Sequence, residues 1–363
     1  MTQLSNINEA IAQLRPYKPG KPVEELTREL GITDIVKLAS NENPRGPGSL
    51  VREAIAQAAA SLSRYPDGSG LVLRDALVKS LGVRDTQLTL GNGSNDVLDL
   101  VARVAVEPGY EAIVAEHSFV VYRLAVTCCG GTLVEIPAKD RGADLDAFLD
   151  AVTEKTRAVF IANPNNPTGT WVNHDDFGAF MDALPPRVWV VLDEAYFEYV
   201  EEPRYPDGVA LLARYPNLIV TRTFSKIHGL AAMRVGYSVS SDEFADLLNR
   251  ARQPFNVNSL ALVAATAALG DQEFVTSSRQ INREGMQQVL QGLDALGLPH
   301  IPSAGNFVSF DCGTEASEVF DLLLAEGVIV RPIAEYGLPT YLRVSIGLAA
   351  ENARFLDALQ RVL

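Results

Sequence analysis

The stretch Val188-Trp189-Val190-Val191-Leu192-Asp193-Glu194-Ala195-Tyr196 decides the fold class. Five apolar residues run without a break into two carboxylates. A strand wet on one face alternates apolar and polar side chains. A run apolar throughout suits a parallel sheet covered on both faces. The pattern repeats outward from here. Similar β-rich runs lie at 87–90, 112–115, 132–136 and 158–162 before it, and at 218–221 and 234–239 after it. Helical patterns separate them at 49–60, 71–80, 95–104, 120–127, 145–152 and 177–183. Strand–helix alternation of this kind predicts an α/β fold with right-handed crossovers. The expected core is a large domain with a mostly parallel seven-stranded sheet covered by helices.

After Asp242 the pattern changes. A long helical stretch at 271–296 leads to strands at 306–310, 328–331 and 342–346, with helices at 317–326 and 350–362. This reads as a smaller α+β domain. The first residues, with Pro16, Pro19 and Pro22, read as an extended arm ending in a short helix. We therefore divide the chain into an arm (1–37) that packs with the small domain, a large domain (38–250) and a small C-terminal domain (251–363). In open α/β sheets ligands sit beyond the carboxyl ends of the strands, and several polar motifs fall there.

Composition narrows the functional classes. The chain has 363 residues, 47% of them hydrophobic and 21% charged, which is the balance of an ordinary globular protein. A net charge of −14 with no basic run argues against a nucleic-acid partner. It leaves small anions open, because a few local arginines can hold a phosphate inside an acidic protein. Cys128, Cys129 and Cys312 form neither a disulfide framework nor a metal spacing, which fits a reducing compartment. No metal site is expected. Residues 1–15 carry no apolar signal-peptide core. The longest apolar run, at about 260–269, is well short of the ~20 residues a membrane span needs. The expected location is the cytoplasm, with no membrane partner.

Five motifs carry the chemistry. Thr223-Phe224-Ser225-Lys226 follows a β run and precedes Gly229-Leu230-Ala231-Ala232-Met233-Arg234. A lysine becomes a Schiff-base nucleophile when desolvation or a nearby cation depresses its pKa, and Arg234 could be that cation. A lone loop lysine is otherwise simply solvated. Asp193 ends an apolar strand, where a carboxylate is costly to bury unless paired. It could face a protonated pyridine nitrogen, cap a helix, or join Glu194 on a metal. The absence of a GxxxxGK[ST] loop weakens a nucleotide reading. Asn163-Pro164-Asn165-Asn166-Pro167-Thr168-Gly169 is a turn-rich loop whose asparagines could donate to a phenolate. Gly91-Asn92-Gly93-Ser94-Asn95-Asp96 is either a tight turn or an anion site at a helix N-terminus. Arg331 ends one strand and Arg343 lies inside another. Each calls for a structural ion pair or a bidentate carboxylate or phosphate.

Together and in this order, these motifs resemble the fold-type-I pyridoxal 5′-phosphate (PLP) aminotransferases over nearly the whole chain. Within that superfamily the chain looks most like the histidinol-phosphate aminotransferases. The cues are Pro16-Tyr17-Lys18-Pro19-Gly20-Lys21-Pro22, Leu38-Ala39-Ser40-Asn41-Glu42-Asn43-Pro44, Arg64-Tyr65-Pro66-Asp67, and Arg331-Pro332 with Tyr336-Gly337-Leu338-Pro339 and Leu342-Arg343. The resemblance implies that Lys226 holds PLP as a Schiff base and then moves the proton between the substrate Cα and the cofactor. It pairs Asp193 with the pyridine nitrogen, and Tyr196 and Asn166 with the phenolic oxygen. It puts the phosphate on Ser94, Asn95, Ser225 and Arg234, and stacks Phe119 on the ring. Tyr65 would reach the cofactor phosphate of a neighbouring subunit, which implies a homodimer with shared sites. Arg343 would bind the substrate's anion, with Arg331, Tyr17 and Asn41 as further substrate contacts. Two departures stand out. Asn95-Asp96 replaces a common pair of acids, and Ala231-Ala232-Met233 stands where Ala-Gly-Leu is common.

The implied reaction is ping-pong transamination between L-histidinol phosphate and 2-oxoglutarate, giving imidazole-acetol phosphate and L-glutamate in histidine biosynthesis. The nearest rival is an aromatic-amino-acid aminotransferase on the same scaffold. A PLP-dependent amino-acid-phosphate decarboxylase shares the lysine and aspartate. A non-catalytic regulator on an aminotransferase domain would need a DNA-binding domain, and the arm is too short to hold one.

Overall fold

The computed structural model describes residues 9–12, 14, 16 and 20–363. Its strands, in chain order, are β1 (Val36–Lys37), β2 (Leu88–Gly91), β3 (Glu111–Ala115), β4 (Thr132–Ile136), β5 (Thr156–Ala162), β6 (Trp189–Asp193) and β7 (Leu218–Thr223). They continue with β8 (Gly236–Val239), β9 (His300–Ile301), β10 (Phe307–Asp311), β11 (Val328–Ile329), β12 (Arg331–Pro332) and β13 (Tyr341–Ser345).

Seven strands form the large sheet in the order β2-β8-β7-β6-β5-β3-β4. All neighbours are parallel except β8, which runs antiparallel to β2 and β7. The unbroken apolar runs are explained by the two cores. Ala112, Val114, Ala158, Phe160, Val191 and Ile219 face one core with Val97, Val101 and Phe244. Their immediate neighbours Ile113, Val159, Ile161, Val190, Leu192 and Val220 face the other with Phe148 and Phe177. Side chains alternate between faces, and both faces are covered.

The chain moves outward from β3 to β4 but in the opposite direction from β5 through β6 to β7. The strand order thus reverses between β3 and β5, and the crevice of a doubly wound sheet opens at that switch point. The loops that leave β3 and β5, and the end of β6, all meet there.

The C-terminal part carries a four-stranded sheet, β12-β13-β10-β9. Its core joins Val308, Phe310, Leu342 and Val344 to Phe355 and Leu359 of helix Ala349–Val362 and to Leu38. Helix Gln272–Ala295, capped by the Asp271 side chain on the Phe274 N–H, leads into it. The strand read at 328–331 is two strands in two sheets. β11 pairs in parallel with β1, while β12 pairs antiparallel with β13. Pro332 has no N–H to continue a ladder, and the switch at Val330 turns Arg331 toward the crevice. Helix Val23–Leu30 buries Leu26 against Ala39, Leu324 and Ile329. Helix Ser259–Gly270 instead lays Ala261, Ala264, Ala265 and Ala268 on Leu88, Leu90, Val235, Tyr237 and Val239 of the large sheet's antiparallel edge.

Candidate active site

A cavity between the large sheet and the small one gathers residues from distant parts of the chain. Its walls include Asn41, Ser94, Asn95, Phe119, Asn166, Asp193, Tyr196, Ser225, Lys226, Arg234, Arg331 and Arg343. Twelve of the fourteen site residues read from the sequence therefore converge. Tyr65 does not; it is 83% exposed and stacks on Phe255 with ring centroids 4.8 Å apart. Tyr17 lies outside the described residues.

Lys226 sits in the loop just after β7. Its Nζ is 3.5 Å from the Ser40 carbonyl and 5.4 Å from the centroid of the Tyr196 ring. Burial pushes its ammonium down to about 8, and Arg343 and Arg234 add to that while Glu42 and Asp193 oppose it. A sizeable minority of the amine is thus neutral near physiological pH, where an ordinary lysine is almost wholly charged.

Asp193 closes β6 at the floor. The phenol of Tyr122 donates to its Oδ2 at 2.8 Å, and Thr221 Oγ1 donates to its Oδ1 at 3.0 Å. Burial raises the carboxyl's pKa, and these two donors pull the other way. Burial and the Asp193 charge push the Tyr122 phenol far up, so that it stays a donor. Neither Tyr122 nor Thr221 was singled out from the sequence. Both were within reach of a pattern argument. Tyr122 lies one helical turn after Phe119 on helix Val120–Cys128, and Thr221 lies at i−2 from the Thr223 that opens the lysine motif.

An anion cradle forms where helix Ser94–Ala105 begins. Gly93, at φ 85°, turns the chain so that the helix's first N–H groups face the cavity. A Cβ on Gly93 would lie 2.5 Å from Arg234 Nη2, so the guanidinium lies against this turn. A Cβ on Gly236 would lie 2.5 Å from the Ser94 nitrogen. Arg234 Nη1 also donates to Ser225 Oγ at 3.3 Å.

The opposite wall comes from the small sheet. Arg343 Nη2 donates to the Ala39 carbonyl at 2.6 Å, and its Nη1 donates to Asn166 Oδ1. Asn41, buried at φ 53°, donates from Nδ2 to the Tyr196 hydroxyl at 2.9 Å. Ser345 Oγ both accepts from the Asn41 N–H at 2.7 Å and donates to its Oδ1 at 3.0 Å. Asn306 Nδ2 donates to the Asn41 carbonyl. Ser345 and Asn306 hold this corner, yet a sequence gives no sign that two small polar residues so distant from Asn41 meet it. Among the described residues no cluster of His, Cys, Asp or Glu could hold a metal.

A doubly wound sheet with a lysine of lowered pKa, a buried carboxylate and an anion cradle at its switch point defines a group-transfer enzyme with an amine nucleophile. The chain belongs to the aminotransferase class I and II family, whose model matches residues 33–359. It is 55% identical over 355 residues to a histidinol-phosphate aminotransferase of Pseudomonas fluorescens, covering 97% of this chain and 96% of that one. It is 52% identical over 350 residues to another of Nitrosococcus oceani, covering 96% and 95%. Among solved structures it resembles the histidinol-phosphate aminotransferase of Sinorhizobium meliloti in complex with pyridoxal 5′-phosphate. That match has TM-score 0.91 and 32% identity, and covers 99% of this chain and 98% of that one.

The residues present fit that cofactor. The glycine-lined turn, the helix N-terminus and Arg234 suit a phosphate dianion. A buried carboxylate facing the cavity suits a protonated ring nitrogen, and an amine that loses its proton more readily than an ordinary lysine suits an aldehyde.

Proposed function

We propose that this chain catalyses PLP-dependent transamination between L-histidinol phosphate and 2-oxoglutarate, giving imidazole-acetol phosphate and L-glutamate in histidine biosynthesis. One observation carries the reading. In a protein of net charge −14, a single cavity is lined by Lys226, Arg234, Arg331 and Arg343 against one acid, Asp193. Such a cavity is built for an anionic cofactor and an anionic substrate together. The names of the relatives supply the particular substrate.

When bound, PLP supplies a carbonyl that condenses with amines and a ring that accepts an electron pair. The chain's own residues do the rest. Lys226 Nζ, half neutral near pH 8, holds the cofactor and then moves the proton at the substrate Cα. Asp193 holds a proton on the ring nitrogen, and Tyr122 and Thr221 keep it aimed. Tyr196 and Asn166 donate to the phenolic oxygen. Phe119 covers one ring face. Ser94, Asn95, Ser225 and Arg234 hold the phosphate. Arg343 takes the anion shared by the two substrates, with Arg331 and Asn41 in the same cavity; Tyr17, outside the described residues, is proposed as a further substrate contact.

The enzyme is further proposed to work as a cytoplasmic homodimer, with Tyr65 completing the neighbour's phosphate site. Tyr65 and Phe255, which stack on each other, are exposed, as are Leu62, Leu71 and Val72 close to Tyr65 in sequence, and a dimer interface would cover such apolar side chains. Cys128, Cys129 and Cys312 are free thiols, in keeping with a reducing compartment. No helix among the described residues is long and apolar enough to cross a membrane. For domains we propose an arm (1–37), a large domain (38–250) and a small one (251–363). Helix Ser259–Gly270, resting on the large sheet, forms the joint between the two main bodies.

The test is a set of half-reactions on cofactor-loaded protein, followed by visible absorbance. Rapid loss of the absorbance of the lysine-held cofactor with L-histidinol phosphate and with L-glutamate, and slow loss with L-phenylalanine, is expected. Faster conversion by phenylalanine would make the enzyme an aromatic-amino-acid aminotransferase. Release of CO₂ would make it a decarboxylase.

A further inference from the structure

Arg331 and Arg343 are direct cross-strand partners in the antiparallel β12–β13 pair, so their side chains share one face of the small sheet and both line the cavity. Like charges placed opposite each other repel. Arg343 is met by neutral acceptors, the Ala39 carbonyl and Asn166 Oδ1. Arg331 is met by a full charge. Its Nη2 donates to Glu335 Oε1 at 2.5 Å, with Arg331 buried and Glu335 exposed. Glu335 belongs to the 3-10 turn Ala334–Tyr336, which the Tyr336 N–H closes on the Ile333 carbonyl and which ends at Gly337 in the left-handed region. His117 Nδ1 lies 2.6 Å from the Tyr336 carbonyl and ties the turn to the large domain. The carboxylate is therefore presented from a fixed turn.

We propose that Glu335 is a specificity-determining residue. Its carboxylate covers Arg331, so that this arginine accepts only an anion able to displace a carboxylate, a phosphate monoester dianion above all. A phosphate carries roughly −1.5 to −2 charges at pH 7 and three strong acceptor oxygens, against one charge on Glu335. It can also bridge two arginines that already share a face. A substrate with a single carboxylate binds at Arg343 and leaves the Arg331–Glu335 pair closed. The inference rests on the proposed assignment of the two arginines to substrate binding.

The test uses cofactor-loaded enzyme, so that the cofactor's own cradle is filled, and inorganic phosphate as the probe. Its dissociation constant is measured calorimetrically on wild type, Glu335→Gln, Arg331→Gln and the double variant. Glu315→Gln, an exposed acid with no ion pair among the described residues, controls for net charge. Breaking a pair of this exposure changes affinity by about 2- to 5-fold. Glu335→Gln should tighten phosphate by that factor, Glu315→Gln should not, and the gain should vanish in the Arg331→Gln background. The half-saturating L-phenylalanine concentration should fall with Glu335→Gln by at least as large a factor, because a lone carboxylate can then use Arg331; an unmoved value overturns the specificity role. Unchanged phosphate binding, equal tightening in the control, or a gain that survives loss of Arg331 overturns the proposal. Failure of L-histidinol phosphate to convert wild type, with these phosphate results intact, would sink the substrate assignment and leave the role of Glu335 standing.

Discussion

The phenol of Tyr122 donates to the buried Oδ2 of Asp193 at 2.8 Å, so a group on the helix after β3 fixes the charge at the end of β6. The bond crosses the switch point of the sheet. Removing a donor to a buried charge typically costs ~1.5–3 kcal/mol. Tyr122→Phe keeps the ring that stacks on Phe160 at 5.2 Å and deletes only the hydroxyl. Asp193 then holds its own proton more readily and the ring nitrogen's less well. The expected result is a fall in kcat of about 10-fold or more, equivalent to ~1.4 kcal/mol, with a small change in KM. A change confined to KM would place Tyr122 outside this role.

Asn41 is held at φ 53°, where a residue with Cβ is strained. Its side chain spans the Tyr196 hydroxyl and Ser345. Asn41→Ala loses both bonds and keeps the strain. Asn41→Gly loses both bonds and relieves it. The alanine variant should lose ~1–3 kcal/mol of stability, and the glycine variant about 1 kcal/mol less than that. Urea midpoints at constant slope measure the difference. Equal losses would show that the backbone conformation is not a source of strain here.

How legible this site was follows from the kind of signal each residue left. Asp193 stood out because it ends five apolar residues, and Lys226 because its loop follows another such strand. The seven-stranded sheet was legible for the same reason, since two covered faces leave runs with no polar interruption. Tyr122 gave only a weak signal, its place one helical turn after Phe119, because a tyrosine on an apolar helix reads as core until its partner is known. The strand at 328–331 read as one element. Only tertiary pairing shows that it changes sheets at Val330. β9 has two residues, too few for any periodicity. Tyr65 was singled out by its motif, but within one chain it points at Phe255 and solvent.

The lowered pKa of Lys226 has a sign for stability. The folded value is about 8 and the ordinary one 10.5, so between them the unfolded chain binds the extra proton. Stability of the cofactor-free protein from this group therefore rises with pH across that window, and is lost as pH falls toward 8. Lys226→Met should make cofactor-free protein more stable than wild type at pH 7. The advantage should shrink steadily up to about pH 10.5. A pH-independent advantage would assign it to packing instead.

Shared sites predict complementation. Tyr65→Ala and Lys226→Ala chains, each nearly inactive alone, should regain activity when unfolded and refolded together. Half the dimers are mixed and each carries one intact site, so the ceiling is roughly a quarter of wild-type activity. No recovery, with dimers confirmed by sedimentation, would place Tyr65 outside the neighbour's site.

The anion cradle can be tested without touching a polar group. At Gly236 a Cβ would meet the Ser94 nitrogen at 2.5 Å, the Gly93 carbonyl carbon at 2.8 Å and the Arg222 carbonyl oxygen at 2.9 Å. All three are backbone atoms, so no side chain can swing aside. β8 would have to move off the turn that starts helix Ser94–Ala105, and the N–H groups facing the cavity would move with it. At Gly270, the last residue of helix Ser259–Gly270, a Cβ meets nothing within 4 Å. Gly236→Ala should weaken cofactor binding by about 10-fold or more, or ~1.4 kcal/mol, and cost stability in the cofactor-free protein. Gly270→Ala should leave cofactor affinity unchanged and be neutral or stabilising by up to ~1 kcal/mol. Cofactor dissociation constants from absorbance titration decide the matter. If Gly236→Ala destabilises the fold yet binds the cofactor as wild type does, the turn at Gly93 and Ser94 is not what holds the phosphate.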